Sequence, residues 1–432
     1  MPKDIAPDLR HLIDHNTYAD EAETVARLRD QAALSPADRV EIGDSAAKLV
    51  TQIRGSTKPG MMEVFLAEYG LSTDEGIALM CLAEALLRVP DAETIDALIE
   101  DKIAPSDWGK HMGRSTSPLV NASTWALMLT GKVLDPERRP GPAGHLRNAM
   151  KRLGEPVIRT AVGRAMKEMG AQFVLGETIE KAMKRGSAME AKGYTYSYDM
   201  LGEAARTEED ALRYLEAYSK AISAIAKAAT AKDIRDNPGI SVKLSALYAR
   251  YEEGQSDAVM EVLVPRLLRL CEEAKTAGIG LNIDAEEADR LSLSLDVIGR
   301  AFASPTLAGW DGFGVVVQAY GLRAAETIDW LYALAEAHDR RIMVRLVKGA
   351  YWDTEIKRAQ VMGLEGFPVF TAKTNTDISY IANARKLLGM TDRIYPQFAT
   401  HNAHTVAAVL HMADNTDAFE FQRLHGMGET LH

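Results

Sequence analysis

Residues 315–346 contain one repeat of the pattern that decides the fold. The β-rich run VVVQ (315–318) is followed by a helical pattern over residues 324–337 and then by a second β-rich run, IMVRL (342–346). A strand, a helix and a further strand in this order predict two parallel strands joined by a crossover helix.

The same alternation extends in both directions, from about Tyr194 to the end of the sequence. Besides the two runs above, the predicted strands are residues 195–198, 240–244, 281–283, 397–399 and 419–422. A second clear helical pattern covers residues 258–277. Repeated in this way, the pattern is typical of a parallel sheet that is either doubly wound or closed as a barrel.

Two features favour the barrel. No Gly-x-Gly-x-x-Gly fingerprint follows the first strand, so a dinucleotide-binding sheet lacks its phosphate turn. Polar or charged residues lie at or just beyond the carboxyl ends of the strands, where the chemistry of a (β/α)8 barrel is built. They are Lys243, Asp284, Gln318, Arg345, Lys348, His401 and Arg423. We therefore predict a (β/α)8 TIM-like barrel, with seven of its eight strands in this sequence and an all-helical region before it.

The region before about residue 193 is predicted to be helical throughout. A possible capping box at residues 72–75 begins one helix, and the stretch RRPGP (138–142) is the best linker candidate. This region shows no chemical constellation, and its Leu and Met residues are interpreted as core.

The composition is that of a soluble globular protein. The 432 residues are 47% apolar and 26% charged, with a net charge of −11. Only two cysteines occur, Cys81 and Cys271, far apart, which argues against a disulfide framework and indicates the cytoplasm. No apolar run is long enough to cross a bilayer, so any membrane contact is predicted to be peripheral. Because acidic residues are interleaved with the basic ones, no nucleic-acid surface is expected.

The segment RLVKGAYWD (345–353) carries the most chemical information. Two cations bracket a strand end, Gly349 lets a ligand approach the backbone, and two aromatic residues follow before Asp353, which is expected to cap the next helix. This suits an anionic, planar ligand. The alternative is that the cations are solvated and the aromatic side chains only pack.

Lys243 and Asp284 are the other strong candidates. Lys243 lies in an otherwise apolar strand, where it either extends to solvent or, as we favour, faces an anion. Asp284 ends a strand, whereas Glu286 and Glu287 are placed at or near the start of the following helix, where acidic residues are commonly dipole partners.

A metal site is a weaker alternative. His401 and His404 are three residues apart and could join Asp284 in a metal-dependent barrel hydrolase, with His411 seven residues beyond His404. No His-x-His lies on the first strand and no Cys joins the set, so we predict that no metal is bound.

Taken together, these residues resemble a known family. The barrel region is similar to the proline dehydrogenase domain of the bifunctional bacterial flavoenzymes called proline utilization A. The matching segments, in chain order, are YDMLGE (198–203), SVKLSAL (241–247), NIDAEE (282–287), VQAY (317–320), RLVKGAYWD (345–353), YPQFATHN (395–402) and LHGMGE (424–429). By the same resemblance, residues 1–50 would be a helical dimerisation arm, residues 51–193 a helical domain leading into the barrel, and residues 194–432 the FAD-binding barrel.

The resemblance implies oxidation of L-proline to Δ1-pyrroline-5-carboxylate, the first step of proline catabolism. Hydride would pass from proline C5 to N5 of a noncovalent FAD, and the electrons would pass on to a membrane quinone such as ubiquinone. The implied protein is a cytoplasmic homodimer with peripheral membrane contact.

The resemblance also implies roles for individual residues. Lys243 would pair with the proline carboxylate, Arg345 would lie near flavin N5 and Asp284 would organise the mouth by hydrogen bonding. At the substrate, Tyr351 and Leu424 would pack against the ring and Ala350 would leave room beside it. Glu203 would be the carboxylate half of an ion-pair gate. The other residues implied at FAD are Gln318, Val347, Lys348, Gly349, Ala350, Trp352, Thr400, His401 and Asn402.

One departure from the family pattern bears on activity. In the family an eighth strand carries a tyrosine that partners the position of Asp284, and an eighth helix carries two arginines that bind the substrate and close the gate. Neither is found before His432, and we expect an open edge strand and an unpaired Glu203 if residues 1–432 are the entire polypeptide. We expect FAD and proline binding by the complete protein and little turnover by residues 1–432 alone. A non-catalytic dimerisation or docking fragment is the remaining alternative.

Overall fold

The computed structural model describes residues 5–55, residue 94 and residues 173–432. The predicted capping box at 72–75 and the predicted linker at 138–142 lie outside these residues. One compact unit comprises Met1–Ile53, Gly176–Leu424 and Leu431–His432, and we call it the barrel unit. The second unit comprises Arg54–Leu175 and His425–Thr430.

The barrel unit is built on a seven-stranded parallel sheet whose spatial order follows the chain order. The strands are β1 (Ser197–Asp199), β2 (Gly239–Val242), β3 (Leu281–Ile283), β4 (Phe313–Gln318), β5 (Ile342–Val347), β6 (Ile394–Ala399) and β7 (Glu420–Gln422). Each predicted strand is present, although several boundaries shift by one to three residues. The largest correction in type is Leu244, which begins a short helix instead of ending β2.

Helices flank and connect these strands. In chain order they are α1 (Pro7–His15), α2 (Glu21–Ala32), α3 (Pro36–Gly55), α4 (Ile179–Glu190), α5 (Glu208–Ile225), α6 (Leu244–Leu247), α7 (Ser256–Ala277), α8 (Leu291–Phe302), α9 (Ala324–Ala337), α10 (Trp352–Met362), α11 (Lys373–Leu388) and α12 (Ala403–Met412). In the part of the chain that is described, no helix is long and apolar enough to cross a membrane.

The sheet curls into an incomplete barrel. Arg345 on β5 donates hydrogen bonds at 2.9 Å to Ser241 on β2 and at 2.9 Å to Ser197 on β1, although two and three strands, respectively, lie between these positions in the sheet. Asn282 on β3 likewise reaches Gln397 on β6 at 2.7 Å. Such contacts require the two halves of the sheet to face each other across a common interior, as in the predicted (β/α)8 architecture.

Local signals explain where the connecting helices begin and end. Thr207 and Asp210 form a reciprocal capping box that starts α5. Gly278 adopts a left-handed φ of 68° directly after α7, a conformation that glycine adopts without steric cost. β2 and β3, which α7 connects, pair in parallel, so their carboxyl ends lie on the same side.

Helices α1 to α3 pack on the outside of the barrel helices. Leu28 and Ala32 of α2 share a buried cluster with Phe370 and with Ala382 of α11. At the start of the chain, Arg10 of α1 pairs with Asp296 of α8 at 3.0 Å. The predicted arm therefore braces the barrel of its own chain, and its predicted role in dimerisation stays a prediction.

We predict that Leu28→Ala lowers the free energy of unfolding by about 2–4 kcal/mol, because Leu28 is 2% exposed and its removal leaves a cavity against Phe370. Chemical denaturation followed by circular dichroism measures this change. The matched control is Val40→Ala on α3, where Val40 is 65% exposed and the change should stay within about 0.5 kcal/mol. Equal effects of the two substitutions would show that the arm contributes no packing energy.

Candidate active site at the carboxyl ends of the strands

Lys243 follows β2 and lies between two carboxylates. Its Nζ donates to Asp284 Oδ2 at 2.8 Å and to Asp199 Oδ1 at 3.0 Å, and its side chain is only 14% exposed. Burial alone would lower the pKa of Lys243, but Asp284 and Asp199 outweigh it and the pKa is raised. The ammonium is therefore held charged between Asp199 and Asp284, and its predicted role towards an anionic ligand stays a prediction.

Asp199 is a site residue that sequence reasoning missed. It is the last residue of β1, so the rule that identified the other strand ends applies to it as well. Burial, followed by the negative charge of Asp284, raises the pKa of Asp199, while Lys243 opposes the shift.

Arg345 lies below this triad and crosses the barrel interior. Its guanidinium donates to the hydroxyls of Ser241 and Ser197 and lies 3.5 Å from Asp284 Oδ1. The Nε of Arg345 is buried and has no hydrogen-bond partner within the described ranges. Burial lowers the pKa of Arg345, and Asp284 is the largest opposing influence. The predicted residues Lys243, Asp284 and Arg345 thus form one continuous cluster.

The loop after β5 is shaped by Gly349. This residue has a φ of +146°, and a Cβ placed there would lie 2.3 Å from the ring of Tyr320. The next residue, Ala350, donates its backbone N–H to Gln318 Oε1 at 3.0 Å, and Gln318 Nε2 donates to the Glu286 carbonyl at 2.9 Å. Gln318 therefore fastens the loops that follow β3 and β5, and Gly349 leaves bare backbone at the mouth.

The ends of this loop are also fixed. Val347 accepts a hydrogen bond from the Ala319 N–H at 2.8 Å, and Lys348 forms an ion pair with Asp377. Trp352 donates its indole N–H to the Phe370 carbonyl at 2.8 Å while 40% of the residue stays exposed. The expectation that Asp353 caps the next helix is wrong: α10 begins one residue earlier, at Trp352.

Thr400, His401 and Asn402 form the turn after β6. Asn402 caps α12 by accepting from the Thr405 N–H at 3.0 Å, and Thr400 Oγ1 accepts from the Asn402 N–H at 3.2 Å. His401 Nε2 accepts from the Leu424 N–H at 2.9 Å, which requires that nitrogen to be unprotonated. Burial, followed by the nearby charges, lowers the pKa of His401 in agreement with this role.

Within residues 5–55, 94 and 173–432, no group of three or more His, Cys, Asp or Glu side chains could hold a metal ion. Of the histidines considered, His411 donates from Nε2 to Asp38 Oδ1 of α3 at 3.0 Å. The prediction that the protein binds no metal stays a prediction.

The structure places the glutamates that the sequence singled out. Glu203 forms no ion pair in the described part of the chain, and the Tyr351 hydroxyl donates to its Oε2 at 3.4 Å. Glu286 and Glu287 lie near the start of a helix, as predicted, because Glu287 is the N-cap of a 3-10 helix, Ala288–Arg290, that runs into α8. Glu286 also accepts from the Ser245 N–H at 2.9 Å, which ties the loop after β2 to the loop after β3.

Comparison with known proteins identifies the family of the chain. Residues 182–432, more than half of the chain, match the proline dehydrogenase family. The chain belongs to the proline dehydrogenase family. Residues 8–54 match the N-terminal domain of proline utilization A proline dehydrogenase, which covers most of the predicted arm.

Residues 61–173 match a family described as the DNA-binding domain of proline dehydrogenase. That description differs from the sequence-based expectation of no nucleic-acid surface. These residues lie outside the described ranges except for residues 94 and 173, so the expectation stays a prediction.

Relatives of this proline dehydrogenase chain include bifunctional PutA proteins. The PutA protein of Salmonella typhimurium is 51% identical over 419 residues, which are 95% of this chain and 32% of the relative. A crystal structure of a PutA mutant from Bradyrhizobium japonicum is 53% identical with a TM-score of 0.71, covering 96% of this chain and 41% of that chain. A PutA structure with proline bound in remote sites is 52% identical, also with a TM-score of 0.71, over 96% of this chain and 42% of that one. This chain thus spans about a third of the length of the curated relative.

We predict that Gly349→Ala weakens FAD binding at least tenfold, because the added methyl group collides with the Tyr320 ring and the backbone must leave its positive φ. The measurement is the dissociation constant of FAD from fluorescence titration of the apoprotein. Gly363→Ala is the matched control: Gly363 also has a positive φ, of 65°, but nothing lies within 4 Å of its Cβ position. An unchanged FAD affinity in Gly349→Ala would exclude this loop from the cofactor site.

Proposed function

We propose that the complete protein oxidises L-proline to Δ1-pyrroline-5-carboxylate with a noncovalent FAD. The observation that carries the proposal is the pair of buried cations, Lys243 and Arg345, on the two oxygens of Asp284, at 2.8 Å and 3.5 Å. Lys243 would bind the carboxylate of the substrate. Arg345 would stabilise the negative charge that develops when a hydride is accepted.

The residues present fit a flavin. The inferred cofactor residues come from the ends of three adjacent strands, β4, β5 and β6, and form one side of the mouth. That side offers the bare backbone of Gly349, the half-exposed indole of Trp352 and the ammonium of Lys348. When bound there, FAD would take the hydride from proline C5 at its N5 and pass the electrons on to a quinone.

The other side of the mouth fits an amino acid. Asp199, Lys243 and Asp284 lie at or directly after the ends of β1, β2 and β3, respectively. An ammonium has three N–H donors, and Lys243 Nζ contacts Asp284 at 2.8 Å and the two oxygens of Asp199 at 3.0 and 3.3 Å. With one donor directed to each carboxylate, the third would serve the carboxylate of proline. Ala350 and Leu424 are exposed at the rim, where they would pack against the ring with Tyr351.

Arg345 joins the two sides. It belongs to β5, on the flavin side, yet its hydrogen bonds end on Ser197 and Ser241 of β1 and β2. Because these contacts fix the guanidinium before any ligand binds, its charge needs no reorganisation during hydride transfer. Glu203, held by Tyr351, is the inferred gate residue beside the substrate.

The remaining parts of the proposal concern the complete protein in the cell. A quinone acceptor, a homodimer, a cytoplasmic location and peripheral membrane contact are inferred from the family resemblance.

We predict that Lys243→Met raises the KM for proline at least tenfold, since a hydrogen bond to a charged group contributes about 1.5–3 kcal/mol. Proline-dependent bleaching of the flavin absorption in the complete protein gives the apparent affinity. Lys220→Met is the control, because Lys220 lies on α5 and its side chain is 74% exposed. An unchanged proline affinity in Lys243→Met would remove Lys243 from the carboxylate site.

We also predict that the purified protein shows flavin absorption in the blue and keeps both its colour and its proline-dependent bleaching after dialysis against a chelator. Metal analysis of the same sample is the accompanying measurement. Stoichiometric zinc with no flavin bands would contradict the proposal and favour the hydrolase alternative.

A further inference from the structure

Glu420 on β7 lies in the same interior row as Arg345. The register pairs Arg345 of β5 with Gln397 of β6, and Gln397 with Glu420 of β7. Directly paired residues project from the same face of a sheet, and Arg345 faces the interior. Glu420 therefore faces the interior as well, two strands from Arg345.

The carboxylate of Glu420 is held by a hydrogen-bond network built across the barrel. It accepts from Gln422 Nε2 at 2.6 Å, from Gln397 Nε2 at 3.0 Å and from the Tyr395 hydroxyl at 3.3 Å. Gln397 in turn accepts from Asn282 Nδ2 at 2.7 Å, so the donors run from β3 across the interior towards Glu420.

A glycine on β4 leaves space for this network. Gly314 on β4 faces Asn282, and a Cβ at Gly314 would lie only 2.4 Å from Asn282 Oδ1. Asn282 and Gln397 are 3% and 6% exposed, so their amides depend on each other for hydrogen bonding. Burial raises the pKa of Glu420, while the hydrogen bond from Gln422 and the positive charge of Arg345 oppose the shift and favour the ionised carboxylate.

The charge of Glu420 is compensated differently from that of the other carboxylates near Arg345. Asp199 and Asp284 both contact the ammonium of Lys243. Glu420 receives neutral donors, and within the described part of the chain no cation forms an ion pair with it. Its field therefore acts on Arg345 through the low-dielectric interior, where charges are poorly screened. The lowered pKa of buried Arg345 is opposed by Asp284 first and by Glu420 next.

We propose that Glu420 is a positioning residue that acts through Arg345 and lowers the reduction potential of the bound flavin. This inference rests on the proposed function, because it requires FAD beside Arg345. A negative charge behind the guanidinium weakens the positive potential at the flavin. It therefore limits how strongly Arg345 stabilises the reduced, anionic flavin.

The test is the two-electron reduction potential of FAD in the full chain, measured by chemical reduction against indicator dyes without proline. We expect Glu420→Gln to shift the equilibrium towards reduced flavin at least tenfold, which corresponds to a rise of about 30 mV. Glu420→Asp keeps the charge and should restore a potential close to that of the wild type. Arg345→Met should change the potential in the opposite direction, because loss of the cation should lower it.

The direction in which the flavin potential shifts distinguishes an electrostatic role of Glu420 from a purely structural one. If Glu420 only held Arg345 in place, Glu420→Gln would lower the potential as Arg345→Met does, and that result, like an unchanged potential, would overturn the proposal. Should Glu420→Gln fail to fold, Gln422→Leu decides: it removes the 2.6 Å donor, disfavours the ionised carboxylate and should raise the potential. An unchanged or lowered potential in that variant would also overturn the proposal.

The result is separable from the proposed function. Flavin that is present but not bleached by proline would contradict the substrate assignment and leave the Glu420 measurement intact. A wild-type protein that binds no FAD would overturn both.

Discussion

The carboxylate of Asp284, shared by two buried cations, is the interaction on which the rest of the site depends. Removing charges from water is costly, and the cost is recovered only when the partners are close and well oriented. Lys243, Asp284 and Arg345 have side chains between 12% and 15% exposed, so each requires the others. Loss of one partner would leave a poorly solvated charge, a cost of about 3–5 kcal/mol for fully buried pairs.

This constraint explains why the barrel interior carries so many polar side chains. Ser197 and Ser241 supply the hydroxyls that hold Arg345, and Asn282, Gln397 and Glu420 form a second hydrogen-bonded group in the interior. The apolar packing lies instead between the sheet and its helices, and α1 to α3 extend that packing outward. The outer helices thus stabilise the sheet, and the strands of the sheet fix the positions of the charged side chains.

The sequence predicted the fold well because its signals are local. Short β-rich runs alternate with helical patterns, and glycine or capping residues mark many of the boundaries, so all seven strands were identified. The errors occurred where tertiary contacts override local preference. Leu244 was assigned to β2 from its apolar run, but the hydrogen bond from the Ser245 N–H to Glu286 favours a helical turn there.

The site was predictable only in part, for a related reason. Polar residues at strand ends identified Lys243, Asp284 and Arg345, because the barrel brings those ends together whatever the details of register. Which carboxylate meets which cation depends on register and on the curl of the sheet, neither of which the sequence pattern contains. Asp199 could have been found by the strand-end rule, whereas Glu420 begins an edge strand and is brought towards Arg345 only by the pairing of β5, β6 and β7.

The central claim is that the two cations beside Asp284 have different roles: Lys243 binds the substrate carboxylate, and Arg345 stabilises the reduced flavin. The most direct measurement is a crystal structure of the complete protein with FAD and an unreactive proline analogue. We predict the carboxylate of the analogue within hydrogen-bond distance of Lys243 Nζ and the guanidinium of Arg345 beside flavin N5. A carboxylate bound away from Lys243, or a flavin whose N5 lies far from Arg345, would contradict the account.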